Sequence, residues 1–262
     1  MASLLIDNPA RNVRRLTLNR PERMNALDGP TLQALYDAVK DCAVASDIKV
    51  LVIRGSGRAF CAGNDLKWLA SGILEDRAAH MRHQDLMQET FERLESAPQI
   101  VLACVNGFAV AGGFELALAC DLVIADKAAQ LGDEHIRRNL LPSGGSSQRL
   151  PRKLGLQRAL YYLVTGRRMT GSEAVDMGLA AQAVSANELD DVTLQLAQEI
   201  GAADATALAT MKLMARHAME LPLREGLRYE RWMQHRYRTQ SSALEEGVHG
   251  FASKRHATGN DA

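Results

Sequence analysis

The chain has 262 residues and a balanced charge, 31 basic against 31 acidic side chains, which disfavours a nucleic-acid surface or a strongly acidic partner. That length is enough for one large domain or a domain with an appendage, and no apolar run approaches the ~20 residues of a membrane-spanning helix. The N-terminal MASLLIDNPARN has no basic stretch followed by a long apolar one, and Cys42, Cys61, Cys104 and Cys120 show no C-x-x-C spacing. Both point to a cytoplasmic protein with reduced, mostly buried thiols.

In chain order, Val13 to Leu18 predicts a strand and Asn19 to Leu27 a loop. From Thr31 to Ala45 the apolar positions Leu32, Leu35, Ala38, Val39 and Cys42 have the spacing of an amphipathic helix, capped by Thr31 or Asp28. Val50 to Ile53 is a short strand. Ala59 to Lys67 is a small-residue loop running into a helix, and residues 68 to 96 read as polar and helical. Ile100 to Val105 suits a strand buried on both faces. Asn106-Gly107 breaks it, and Gly112-Gly113 leads into an apolar helix whose only charge is Glu115. Leu122 to Ala125 predicts another strand, and Leu140 to Leu150 a third glycine turn into a helix. From Thr170 onward the pattern is nearly all helical, with Asn187 to Ile200, Ala205 to Met219, Leu223 to Thr239 and Glu245 to Lys254 in succession. Three strand-to-glycine-to-helix passages predict a layered α/β core over 1–198, and 199–262 predicts a helical appendage.

A strand, a glycine-lined turn and a helix start expose unpaired backbone N–H groups with no Cβ in the way, which makes the 105–115 stretch an anion site. Glu115 admits two readings at this point. It is either a helix N-terminal acid favoured by the macrodipole or a general base beside an oxyanion hole.

Taken together, AFCAGNDLK at 59–67 and VNGFAVAGGFELALACD at 105–121 resemble the two signature stretches of the crotonase, or enoyl-CoA hydratase/isomerase, superfamily. NRPERMNAL, LPSGGSSQRLPRKLG and TGRRMTGSEAVDMGLA extend the resemblance in order over nearly the whole chain. It implies a ClpP/crotonase-like spiral of repeated ββα units, followed by a C-terminal helical region that packs homotrimers or dimers of trimers. It also implies an acyl-CoA thioester substrate, with coenzyme A entering as part of that substrate and no separate cofactor or metal. By motif, the backbone amides of Asn64 and Gly112 form the oxyanion hole. Arg23, Met24, Ala26, Ala62, Asp65, Leu66 and Lys67 lie along the coenzyme A path, and Lys254 reaches nucleotide phosphate. Two preset donors aimed at the thioester oxygen suit any reaction that passes through an enolate.

Hydratases of this family use two glutamates. Glu115 matches the first, whereas ungapped counting from Gln130 to Pro142 puts His135 at the second, with Glu134 one residue earlier. The expected reaction is hydration of a 2-enoyl-CoA with Glu115 and His135 as acid/base pair; the alternative for His135 is a pocket-filling side chain bonded to the main chain. Glu134 recovers the second carboxylate only if the loop slips by one residue. Isomerase, hydrolase or decarboxylase chemistry and a non-catalytic acyl-CoA binder are the competing functions. His80 and His83, three apart on a helix, have the spacing of metal ligands but read as a solvated face; Trp68 and Phe114 read as acyl-pocket lining or core. Residues 68–85 and the C-terminal helices are expected to set the acyl length.

Overall fold

The computed structural model describes residues 2–258, with side chains through residue 253. The chain divides between Gly201 and Ala202 into two units. In the first, a six-stranded sheet has the order β1 (Leu4–Ala10), β2 (Val13–Leu18), β3 (Val50–Gly55), β5 (Ile100–Val105), β7 (Leu122–Asp126) and β10 (Gln182–Val184). All of its pairings are parallel except β1 with β2. A second sheet orders β4 (Ala59–Cys61), β6 (Phe108–Val110), β8 (Gln130–Gly132) and β9 (Met169–Thr170).

The unbroken apolar runs of β3 and β5 follow from burial on both faces. Leu51, Ile53, Val101, Ala103 and Val105 face a core completed by α1 (Gly29–Val44), α3 (Arg77–Ser96) and α4 (Gly112–Ala119). Their alternates Val50, Val52, Leu102 and Cys104 face a second core against Leu189 and Ala197 of α8 (Leu189–Gly201). The period of two in side-chain direction thus assigns each strand residue to one core or the other.

The repeat is ββα. Each unit sends its first strand to the large sheet and its second to the small one before a helix: β3, β4, then α2 (Leu66–Trp68) and α3; β5, β6, then α4; β7, β8, then α5 (Ser146–Leu154). Since β4, β6 and β8 are parallel neighbours, the segments that leave their C-terminal ends lie side by side. Such edges are where α/β proteins place ligand sites.

Several sequence expectations are refined. The helix over 68–96 is broken at Ser71 and Gly72, where Gly72 has φ 113°, and α3 starts afresh behind Asp76, whose carboxylate accepts from the Ala79 amide. Asp28, not Thr31, caps α1. The α6 helix (Leu156–Thr165) and strand β1 add to the elements read from the sequence, and α7 (Gly171–Asp176) is capped by Thr170 in a reciprocal capping box with Glu173. The described residues of the second unit form three helices joined by short turns: α9 (Ala205–His217), α10 (Leu223–Gln240) and α11 (Ala243–Thr258). Among the described residues no helix is long and apolar enough to cross a membrane.

Candidate active site

The loops after β4 and β6 approach each other closely at Gly63 and Gly112. A Cβ on Gly63 would lie 2.5 Å from the Gly112 nitrogen, and one on Gly112 would lie 3.1 Å from Gly63 Cα and 3.5 Å from the Asn64 nitrogen. Glycine is therefore required for the amides of Asn64 and Gly112 to come together. Among the described residues neither amide donates a hydrogen bond. Ala111, just ahead of α4, holds φ 50° and ψ −124°, a conformation that L residues rarely adopt. Its own amide is tied to the Gly132 carbonyl at 3.0 Å, which fixes how the chain enters the helix.

Glu115 sits in the first turn of α4 and is fully buried. Its Oε1 accepts from the Ser146 amide at 3.0 Å, while Oε2 has no hydrogen-bond partner among the described residues. Burial pushes the carboxyl pKa above the ordinary glutamate value. The Ser146 amide, the His135 charge and the nearby Gly144 amide oppose that rise without reversing it, and the Asp133 charge reinforces it.

His135 and Asp133 follow β8. His135 Nδ1 lies 3.0 Å from Asp133 Oδ2, and the His135 amide donates to Asp133 Oδ1 at 3.3 Å. Burial alone would lower the imidazole pKa, but the hydrogen bond and charge of Asp133, with the charge of Glu115, outweigh it and raise the net value. Asp133 moves the other way: burial would raise it, and its bonds to His135 and Ser146 hold it below the usual carboxylate range. The Ser146 hydroxyl donates to Asp133 Oδ2. Glu115, Ser146, Asp133 and His135 thus form one buried cluster, with Ser146 bonded to both carboxylates.

The turn carrying Ser146 is clamped from α3. Arg149 pairs with both Glu95 oxygens at 2.8 and 2.7 Å and donates to the Gly144 carbonyl at 2.5 Å, and Gln88 donates to the Ser143 carbonyl at 2.8 Å. Glu134 does not supply a second site carboxylate: it is ion-paired to Arg168 at 2.6 Å and to Arg137 at 3.2 Å.

On the expected coenzyme A path, residues 24–27 run beside residues 62–65. The Ala62 amide donates to the Met24 carbonyl, Leu27 to Gly63 and Asp65 to Leu27, at 2.8 to 3.0 Å. Arg23, Leu66 and Lys67 are exposed, Met24 and Ala62 half-buried, and Ala26 buried. Asp65 is occupied locally: it caps α2 through the Lys67 and Trp68 amides and pairs with Arg20 at 2.9 Å. The same Arg20 nitrogen reaches Asp28 at 3.0 Å, so one guanidinium ties the two segments together. The Lys254 side chain lies outside the described residues.

His83 departs from the solvated helix face expected of it. It is buried, its Nε2 lies 2.9 Å from Asn64 Oδ1, and its ring packs on Trp68 with centroids 4.7 Å apart. Phe114 is fully buried core. Cys61 is fully buried and its thiol is pushed up to about 12 by desolvation, which keeps it protonated and leaves it no nucleophilic role. Sequence reasoning missed Asp133, Ser146, His83 and Arg20. The D-x-H spacing of 133 and 135 was a usable sign of the first; the others depend on which segments pack together.

A model of the enoyl-CoA hydratase/isomerase family matches residues 9–261. The chain belongs to that family. Among its relatives, the Escherichia coli (strain K12) 2,3-dehydroadipyl-CoA hydratase is 33% identical over 258 residues, 97% of each chain. The Bacillus subtilis (strain 168) protein YngF, whose name carries a provisional enoyl-CoA hydratase/isomerase assignment, is 36% identical over 243 residues, 92% of each. A solved enoyl-CoA hydratase from Bacillus anthracis superposes with a TM-score of 0.92 at 30% identity, covering 97% of both chains. The spiral core expected from the motifs is therefore the crotonase fold.

Proposed function

We propose that this enoyl-CoA hydratase/isomerase family member adds water reversibly across the double bond of a 2-enoyl-CoA, with Glu115 and His135 as its base and acid. The observation that carries this reading is the state of Glu115, a fully buried carboxylate with one oxygen fixed by a main-chain amide and the other without a hydrogen-bond partner among the described residues. Such an arrangement costs stability, and a protein keeps it where that oxygen has chemical work to do.

In the hydration direction, the water oxygen bonds to the β carbon as Glu115 Oε2 takes one of its protons. The double-bond electrons move onto the thioester oxygen, which the Asn64 and Gly112 amides stabilise. A donor of that kind is worth about 3 kcal/mol in barrier. The enolate then takes a proton on the α carbon from His135, and a proton passes back from Glu115 to His135 before the next turnover. A carboxylate facing an imidazolium holds base and acid in one protonation state, because the opposite charges stabilise each other. The opposed influence of Glu115 and His135 on each other's titration supports this pairing.

The exposed apolar residues Leu223, Leu227 and Trp232 on α10 support the homotrimer implied by the family. The buried free cysteines are in keeping with a cytoplasmic setting. Incubation with crotonyl-CoA tests the reaction. Hydration removes the conjugated enoyl absorbance, whereas an isomerase would create that band from a 3-enoyl-CoA and a hydrolase would release free thiol. His135→Ala is expected to lower hydration at least a hundredfold. Unaltered turnover in that variant removes His135 from the mechanism.

A further inference from the structure

Asp133 is almost fully buried, and among the described residues its two oxygens serve His135 and Ser146 only: Oδ1 accepts from the His135 amide, and Oδ2 takes both the His135 imidazole and the Ser146 hydroxyl. The chain reverses between the two through Glu134, which adopts φ 56°, left-handed backbone unusual for a residue with a side chain. That reversal folds the imidazole back onto a carboxylate two residues earlier, and the ion pairs of Glu134 with Arg137 and Arg168 hold it. A buried carboxylate on Nδ1 selects the tautomer with the proton there and leaves Nε2 to exchange protons, as the orienting aspartate of a serine-protease triad does.

We propose that Asp133 is a positioning residue for the reaction, setting the tautomer and orientation of His135, and that Ser146 locks it into the same frame as Glu115. The inference rests on the reading of His135 as the acid of the hydration. It explains how an imidazole serves in place of a second glutamate: the carboxylate is retained two residues upstream, as a partner to the ring. Ser146 joins the two halves, its amide on Glu115 and its hydroxyl on Asp133, so that a displacement of the α5 N-terminus moves both catalytic groups together.

The charges acting on His135 are those of Asp133 on its own segment and Glu115 from α4. Around them, Glu134 is neutralised by Arg137 and by Arg168 from the segment before β9, and Arg149 of α5 is paired with Glu95 and acts on Glu115. Helix α6, which packs against the His135 turn, carries Arg158, Tyr161 and Tyr162.

The test is the pH titration of imidazole-labelled full-length protein by heteronuclear NMR, with His135 assigned by its loss in His135→Gln, run beside kcat and KM for crotonyl-CoA. In Asp133→Asn the His135 midpoint is expected to fall by roughly one to three pH units, with kcat down at least tenfold and KM within about twofold. If His135 donates the proton in hydration, the alkaline limb of kcat moves down with it. In Ser146→Ala, which keeps the amide on Glu115, Asp133 loses a competing donor and binds the imidazolium more tightly. The His135 midpoint should then rise, with kcat down roughly tenfold. An unmoved His135 midpoint in Asp133→Asn overturns the proposal, and a midpoint that falls or stays in Ser146→Ala overturns the part of the serine. If Asp133→Asn does not fold, a rise of the His135 midpoint in Ser146→Ala supports the Asp133–His135 coupling, and a fall or no change there overturns the whole proposal. Absence of turnover in the parent protein would instead refute the hydratase reading, and the NMR arm would still decide whether Asp133 governs His135.

Discussion

His83 Nε2 lies 2.9 Å from Asn64 Oδ1, so helix α3 is hydrogen-bonded to the loop that carries one of the two amides flanking the Gly63–Gly112 approach. Burial, followed by the His80 charge, lowers the His83 pKa, and the neutral ring is the form the fold selects. A depressed histidine contributes stability that is complete above its unfolded value, about 6.5, and is lost as pH falls through the lower folded value. His83→Leu should flatten the decline of Tm below pH 6.5 and reduce kcat roughly tenfold through loss of the Asn64 anchor. Melting curves across pH 5 to 8 and steady-state kinetics check both. A decline as steep as the parent's would leave His83 without that linkage.

Glu115 gives a prediction of opposite sign for stability and activity. Its folded pKa stands above the unfolded one, so the stability linked to protonation is present below the unfolded value and disappears as pH rises through the raised value. Above that raised value the ionised side chain is therefore a liability to the fold. Glu115→Gln should raise Tm by roughly 2–4 °C, the equivalent of about 1 kcal/mol in a domain of this size, while lowering kcat at least a hundredfold. In the parent enzyme the acid limb of kcat should sit above the ordinary glutamate range. Calorimetry and a pH–rate profile are the measurements, and a fall in Tm would contradict the assignment.

Gly144 has no room for a side chain. A Cβ there would lie 2.7 Å from Glu115 Oε2 and 2.7 Å from Phe91 Cε2. Gly144→Ala should displace the carboxylate or the turn, costing about 1–3 kcal/mol and at least tenfold in kcat. Chemical denaturation alongside kinetics would register both, and full activity would mean that the free oxygen of Glu115 is not needed where it stands.

Arg20 bridges Asp28 and Asp65 from one nitrogen and donates to the Ala26 carbonyl at 2.6 Å from the other. Arg20→Met leaves both carboxylates without their cation, at a cost of about 2 kcal/mol. With Met24 to Leu27 loosened from Ala62 to Asp65, KM for acyl-CoA should rise severalfold and kcat change little. Isothermal binding of acetyl-CoA to the variant checks the affinity directly, and unaltered affinity would separate this junction from substrate binding.

The long elements were legible because burial on one or both faces leaves a periodic mark, as in α1 and β5. The second strand of each ββα unit was not. Strands β4, β6 and β8 are three residues each, lie within the glycine-rich stretches, and owe their conformation to pairing with one another rather than to their composition. At the site, Glu115 and the two glycine loops were readable because an acid in an apolar helix and glycines behind a strand are local anomalies. Asp133 and Ser146 are ordinary polar residues in polar turns, and their roles arise only when β8 and α5 are brought within hydrogen-bond distance. His83 is different: α3 is polar along most of its length, but His83 shares a helical face with the buried Met87, Phe91 and Leu94, a spacing that marks it as inward, while its partners Trp68 and Asn64 show only in the fold.

The two groups proposed as base and acid are anchored by different parts of the polypeptide. The hydrogen bond on Glu115 comes from a peptide amide, so no exchange of the residue 146 side chain for another non-proline residue deletes it, whereas the imidazole hangs from the side chains of Asp133 and, at one remove, Ser146. The support of the carboxylate is thus independent of the side chain at 146, and that of the histidine is not. Under the proposed mechanism, exchanges at positions 133, 135 and 146 should alter the proton donor and, through the charges of His135 and Asp133, the titration of Glu115, while its main-chain hydrogen bond stays in place.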